Sequence, residues 1–336
     1  MKKAAFICIL IYTTGLTHAC NLKPDHSTVS TVQEETPVKP VRQTLVLPQD
    51  ITLEKEFLYD QHTLEDVYPY KDTTRKFQWD KVKERLSRLE NIQGEPAAWG
   101  VLQNRRNVHG APPAAKGAKK DEYNELDDRY GVEDRQSVPL YSLTDAVTPE
   151  RYGRDGSLVK ISKQDGEYIE ASVADLDGTW RIPERYVKVI ETTEAHPFNK
   201  VILVDRTNQN IATLEGSGTR WLIRSMNPAT TGLHKPPYER PTPLGIFVVQ
   251  EKKEKMFYTA DGGQEIVGFA PYASRFSNGG YVHGIPVNNP NGKIVEFSTT
   301  LGTTPRSHMC VRNATSHAKY VYDWAPVGKA LVIVIE

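Results

Sequence analysis

The chain has 336 residues with 42 basic and 42 acidic side chains, long enough for two or three domains with apolar residues to fill their cores. Balanced charge, without a basic stripe interleaved with aromatics, excludes a nucleic-acid-binding surface. Neither a glycine-rich phosphate loop nor a dinucleotide fingerprint occurs, so no cofactor is expected.

Met1-Lys2-Lys3, an apolar run from Ala4 to Leu16 and then Thr17-His18-Ala19-Cys20 read as a secretory signal peptide over 1–20. The run is too short to cross a bilayer, which takes about 20 residues. Its ending resembles a bacterial lipoprotein signal, with Cys20 the lipidation site and the membrane anchor, although Leu16 stands one place earlier than the usual leucine. The alternative is an ordinary secreted protein cut near Ala19. Either way an exported protein of the bacterial envelope is expected, and the lipid reading places it on the periplasmic side of a membrane. Cys8 leaves with the signal and Cys20 takes lipid, so Cys310 is the only thiol left and no intrachain disulfide is available.

Residues 21–49 are rich in Thr, Val, Pro and Glu without a period and read as a flexible tether, with a random-coil reach of about 30 Å. In the segment 50–110 the spacing of Trp79, Val82, Leu86 and Leu89 predicts a helix from Thr73 to Asn91, stopped by Gly94, with its apolar stripe packed on a neighbouring element. Residues 111–136, with Pro112-Pro113, Gly117 and many charges, read as a linker whose charges are solvated. From 137 to 194 five short β-type runs are predicted: Val138–Ser142, Leu158–Ser162, Tyr168–Ala171, Thr179–Ile182 and Tyr186–Ile190. Gly-Ser and Asp-Gly turns separate them, as in a small barrel. Size and strand count are similar to a bacterial SH3-like domain. That resemblance implies binding of cell-wall peptide or glycan, and a structural spacer is an equal alternative.

In the last segment, 195–336, Val201–Asp205 and Ile211–Leu214 form a predicted hairpin across a polar turn that contains Gln209. Thr242-Pro243-Leu244-Gly245-Ile246-Phe247 is a turn entering a strand. Ala314, Ala318, Val321 and Tyr322 have helical spacing, and Ala330–Ile335 is a continuous apolar strand buried on both faces. Between these lie Tyr281, His283-Gly284 and the run Ser307-His308-Met309-Cys310-Val311-Arg312-Asn313. A cysteine with nearby imidazoles is the minimum set for thiolate chemistry.

These elements, in this order, resemble the L,D-transpeptidase catalytic domain family of the YkuD type: His-Gly followed by Ser/Thr-His-Gly-Cys and an Arg or Asn, with a Thr-Pro-x-Gly-x-Phe element upstream and an Asp-Trp-x-Pro-Val-Gly ending. Met309 stands where the family has glycine, and the interval from His283 to Cys310 is longer than the commonest one. The fold expected is mainly β with some α: a β-sandwich or barrel with a short helix at the C-terminus, preceded by the small SH3-like barrel and the N-terminal helical segment.

The resemblance implies Cys310 as nucleophile, His283 as its base with the Gly284 carbonyl orienting the imidazole, and His308 in support or substrate positioning. A free thiol titrates near 8.5, so two sources of thiolate stabilisation are expected, an imidazole and the N-terminus of the helix predicted after Cys310. Backbone N–H groups of Met309 and Cys310 are the candidate oxyanion donors. Arg312 suits a substrate carboxylate, with a loop-fixing salt bridge as the even alternative. Ser307 and Asn313 are expected to hold the loop or cap the helix, and Tyr281 to line the cleft or pack.

The activity implied is attack on a peptidoglycan stem tetrapeptide, release of D-Ala and transfer to an amine, giving a 3-3 crosslink; water as acceptor gives an L,D-carboxypeptidase. A catalytic zinc on His283, His308 and Cys310 lacks an evident fourth ligand. In the cysteine endopeptidases of cell walls the cysteine precedes the histidine, opposite to the order here. A wall-binding lipoprotein without activity is the reading from another class.

Overall fold

The apolar run Ala330–Ile335 lies fully buried inside the largest sheet, pairing in parallel with Lys200–Asp205 on one side and antiparallel with Gly245–Val248 on the other. The computed structural model describes residues 45–336; the expected signal peptide, Cys20 and most of the expected tether lie outside the described residues. Strands dominate, as expected, with two α-helices among the described residues, α1 (Trp79–Gln93) and α2 (Thr315–Trp324).

The large sheet curls. From Lys200–Asp205 it continues through Asn210–Ser217 and Arg220–Thr230. The far end of that long strand then passes to Val311–Asn313, Gly280–His283, Ile266–Ser277 and Glu251–Thr259. Where it curls, the near end of Arg220–Thr230 would be left as an open edge. Thr52–Lys55 covers it as a parallel strand, Thr52 opposite Arg220 and Lys55 opposite Ile223.

Helix α1 buries Val82, Leu86 and Leu89 in one core with Val201, Leu203, Leu214 and Ile333. The helix is shorter at its start than the pattern predicts. Thr73–Lys76 is instead a strand paired with Val67–Tyr70, because the β-branched threonines suit extended backbone and the Asn208 and Asn210 side chains take both backbone groups of Lys76.

All five β-runs expected between 137 and 194 are strands, and Arg151–Arg154 is a further one. Four of the five runs form a sheet with Ala98–Leu102, a strand from outside those bounds, in the order Trp180–Pro183, Tyr168–Val173, Leu158–Gln164, Ala98–Leu102, Val187–Ile190. The segment 111–136 is not a solvated linker. Its Glu125 and Glu133 pair with Arg240, which is 7% exposed, and the Tyr123 hydroxyl donates to the Glu239 carbonyl at 2.7 Å.

The five-stranded sheet is joined to the large one at Asp155-Gly156. Asp155 is fully buried. One oxygen accepts Arg275 Nη1 at 2.7 Å and the Asn278 N–H at 2.9 Å; the other accepts the N–H groups of Asn104 at 2.9 Å and Arg105 at 3.2 Å. Gly156, at φ +90°, packs so closely that a Cβ would meet the Phe276 carbonyl at 1.8 Å. Asp155→Ala leaves Arg275 buried without its closest counter-charge and three N–H groups without acceptors, an expected loss of about 3–5 kcal/mol in urea unfolding. A loss under about 1 kcal/mol, the value of an exposed ion pair, would contradict this role.

Candidate active site

His283 ends the strand Gly280–His283, which runs parallel to Val311–Asn313 with Val282 opposite Val311 and His283 opposite Arg312. Cys310 is the residue just before the second strand. Since alternate residues share a face of a sheet, this register puts Tyr281, His283, Cys310 and Arg312 on one side. Twenty-six intervening residues are thus closed by a two-strand junction that the chain order alone does not reveal.

His283 is 3% exposed. Its Nδ1 lies 2.6 Å from the Gly284 carbonyl, which can only accept, so Nδ1 carries the proton and Nε2 keeps its lone pair. Burial first, and then the Arg312 charge, pull its pKa down to about 4 against the favourable Gly284 bond. The ring is a neutral base at pH 7. Gly284 is required by crowding, because a Cβ would lie 2.7 Å from Thr315 Oγ1. Thr315 Oγ1 in turn accepts from the Ile285 N–H at 3.0 Å and donates to the Val295 carbonyl at 2.6 Å, tying the loop after His283 to the start of α2.

Cys310 is partly accessible, with Sγ 3.5 Å from the Gly279 carbonyl. Burial pushes its thiol above the ordinary value, opposed by the Tyr281 N–H and by Arg312. The expected helix N-terminus does not supply the thiolate stabilisation. Val311–Asn313 is a strand, and α2 begins only at Thr315, beyond the reach of a first-turn dipole effect. The resting pair is therefore neutral thiol and neutral imidazole.

Arg312 is largely buried, makes no salt bridge among the described residues and leaves Nε unpaired, so the loop-fixing alternative does not hold. Burial lowers its pKa, and the neighbouring Cys310 acts against that. Ser307 Oγ donates to the Cys310 carbonyl, closing the turn that presents the thiol. Asn313 does not cap α2, whose N-cap is Ala314. It is fully buried and its amide atoms have no partner among the described residues.

His308 points its Nε2 at Asp261 Oδ1, 2.8 Å away at the tip of the hairpin Glu251–Ser277, and both side chains are about half exposed. It makes no hydrogen bond to the thiol, and among the described residues no three His, Cys, Asp or Glu converge as metal ligands. Tyr281 is 2% exposed and its hydroxyl donates to Glu251 at 3.2 Å, so its side chain packs while its backbone serves the thiol.

Met309 has φ +128°, a conformation that favours glycine, and its side chain is 8% exposed. Thr242 Oγ1 holds it there, donating to the Met309 carbonyl at 2.7 Å and accepting the Gly232 N–H at 2.8 Å. Thr242 opens the Thr-Pro-x-Gly-x-Phe element, the one sequence signal for this support. Among the described residues the Met309 and Cys310 N–H groups donate to no acceptor within the chain.

The L,D-transpeptidase catalytic domain (YkuD) profile matches residues 199–334. No curated protein matches the sequence. Among solved structures the chain is similar to a fused Zn-dependent amidase/peptidase/peptidoglycan-binding domain-containing protein from Clostridium acetobutylicum ATCC 824, at 23% identity, TM-score 0.30, over 41% of this chain and 52% of that one. It thus spans about half of that protein's length. It is also similar to an L,D-transpeptidase from Mycobacterium smegmatis, at 18% identity, TM-score 0.33, over 53% and 82% of the two chains. An L,D-transpeptidase from Mycobacterium tuberculosis H37Rv gives 19% identity and TM-score 0.32 over 60% and 77%.

The strained backbone at 309 makes a directional prediction. Met309→Gly is expected to be more stable than Met309→Ala by about 1 kcal/mol in urea unfolding, reversing the usual order of these residues. Equal stabilities, or alanine ahead, would show that position 309 is not held at positive φ.

A second prediction concerns acid. His317 is fully buried against Ser225 Oγ at 2.9 Å, and burial pulls its pKa down to about 3. Both His283 and His317 are neutral when folded, whereas the unfolded chain binds their protons below about pH 6.5, so stability is unaffected above that and falls as pH drops toward 4. Each contributes a slope of about 1.4 kcal/mol per pH unit. His317→Gln is expected to remove one such slope between pH 6 and 4.5 in a pH series of denaturant unfolding; an unchanged slope refutes the assignment. Residues 199–334 are an L,D-transpeptidase catalytic domain of the YkuD type.

Proposed function

We propose that the protein is a cysteine L,D-transpeptidase of peptidoglycan. The observation that carries this is the Nδ1–H bond of His283 to Gly284, which leaves Nε2 as a free base on the sheet face shared with Cys310 and the unpaired Arg312. His283 takes the Cys310 proton as the thiolate attacks the carbonyl after the third residue of a stem tetrapeptide. The free N–H groups of Met309 and Cys310 receive the oxyanion, and Arg312 receives a stem carboxylate. Collapse forms the Cys310 thioester and returns the proton to D-Ala. A side-chain amine of a second stem then forms the new amide as the C–S bond breaks, giving a 3-3 crosslink. Water in its place gives an L,D-carboxypeptidase, and a non-catalytic wall-binding lipoprotein is the reading outside enzymes. His308 acts at the rim, through Asp261, rather than on the thiol.

Export and lipid anchoring at Cys20, a tether over 21–49, and wall binding by an SH3-like module within 137–194 complete the proposal. They would place the domain on the periplasmic side of a membrane, within reach of stem peptides.

Mass spectrometry of a purified muropeptide tetrapeptide incubated with the protein lacking its signal, beside Cys310→Ala, tests the activity. Loss of D-Ala with a crosslinked dimer, abolished in the variant, is the expected outcome. Loss of D-Ala alone identifies the carboxypeptidase, and an unchanged tetrapeptide refutes both enzyme readings.

A further inference from the structure

Gln209, in the polar turn before Asn210–Ser217, has no part in the mechanism above. It is nevertheless fully buried, and its backbone stands at φ +55°, a region that residues other than glycine seldom occupy. Such a conformation persists only where the surroundings impose it. Its side-chain amide is used at both ends. Nε2 donates to the Arg206 carbonyl at 2.5 Å and to Thr231 Oγ1 at 2.8 Å, and Oε1 accepts the Thr231 N–H at 2.9 Å.

Thr231, also fully buried, is the residue on which the nucleophile turn hangs. Before the thiol, its carbonyl accepts the N–H groups of Arg306 at 2.9 Å and Ser307 at 3.2 Å, and Ser307 Oγ donates to the Cys310 carbonyl. After the thiol, Arg312 stands opposite Thr230, the preceding residue of the same strand. The next two residues continue the grip. The Gly232 N–H donates to Thr242 Oγ1, which holds the Met309 carbonyl at 2.7 Å, and the Leu233 N–H donates to the Ser307 carbonyl at 2.8 Å. Both flanks of Cys310 are therefore fastened to Thr230–Leu233, and Gln209 grips the centre of that stretch by backbone and hydroxyl together.

We propose that Gln209 is a positioning residue for the Cys310 reaction, acting through Thr231 on the turn that presents the thiol. The inference rests on the acyl-transfer reading above. The amide is specific to this place. A glutamate sets an oxygen against the Arg206 carbonyl and loses both donors, and an asparagine falls one methylene short of Thr231. With the amide removed, the Thr231 N–H is left buried without its acceptor, and the strand end that carries both flanks of Cys310 relaxes. A displacement of about 1 Å at a reacting atom can cost about a hundredfold in rate.

The time course of Cys310 acylation by a carbapenem, followed by mass spectrometry on the protein lacking its signal, tests this. In Gln209→Leu the limiting acylation rate constant is expected to fall at least about tenfold, while the carbapenem concentration giving half that rate stays within about threefold. Gln209→Glu, which keeps the size and the acceptor, serves if the leucine variant does not fold. A variant that only loses stability labels a smaller fraction of the protein at an unchanged rate. Gln93→Leu controls for the loss of a buried amide: Gln93 is 1% exposed and accepts the Phe198 N–H at 2.8 Å. It should leave the rate constant within about twofold. Ser307→Ala acts on the same turn, so its combination with Gln209→Leu should lose less than the product of the two single effects. Amide hydrogen exchange gives a readout apart from activity: Arg306 and Ser307 should exchange at least about tenfold faster in Gln209→Leu and unchanged in Gln93→Leu. An unchanged acylation rate in Gln209→Leu, an equal loss in Gln93→Leu, or independent effects in the double variant overturns the proposal. Absence of carbapenem acylation in the unaltered protein overturns the acyl-transfer reading instead, and the exchange of Arg306 and Ser307 then decides whether Gln209 holds the turn.

Discussion

The buried Asp155 carboxylate is the constraint on which the rest of the structure depends. A fully desolvated charge persists only if paired and saturated with donors, and this one is met by Arg275 and by N–H groups from two separate stretches of chain. One stretch follows Ala98–Leu102 in the five-stranded sheet, and the other is the turn after Ile266–Ser277 that leads directly into Gly280–His283. The upstream β-structure is thereby fixed to the strand that ends in His283. Its apposition, sealed by Gly156 against Phe276, sets where Asn278 and Gly279 stand relative to the thiol.

From that fixed strand the site is assembled through backbone contacts. Parallel pairing with Val311–Asn313 aligns imidazole, thiol and guanidinium; the Gly284 carbonyl selects the tautomer; Thr242 and Thr315 each hold one carbonyl and one N–H of the surrounding loops, and Ser307 holds one carbonyl. Low polarity does the remaining work. Burial keeps the imidazole neutral and the thiol protonated, with the largely buried Arg312 on the same face.

Much of this was legible in the sequence, for identifiable reasons. The final apolar strand, the hairpin before it and the short β-runs carry strong local patterns, and the cysteine–histidine motif marks residues that two short paired strands bring to one face. What stayed hidden depended on contacts distant in sequence. Thr73–Lys76 is drawn out of a helical pattern by Asn208 and Asn210, and Ala98–Leu102 finds its sheet more than fifty residues downstream. The charges of 121–133 look solvated until Arg240 arrives from the far side of the chain. His308 was equally unreadable, because its partner Asp261 sits on a hairpin tip and nothing in the motif points there. Met309 is the informative departure: an unsuitable residue in a glycine conformation, its carbonyl held by Thr242.

The parallel strand Thr52–Lys55 has a mechanical consequence. Val46 is already held by Asn91 and Ser87 of α1, and the strand that follows is stitched along Arg220–Ile223. A pull applied along this strand from its N-terminal side loads those hydrogen bonds in shear, all together, instead of peeling them one at a time. Force along this strand would therefore be shared by all of its hydrogen bonds to Arg220–Ile223 at once.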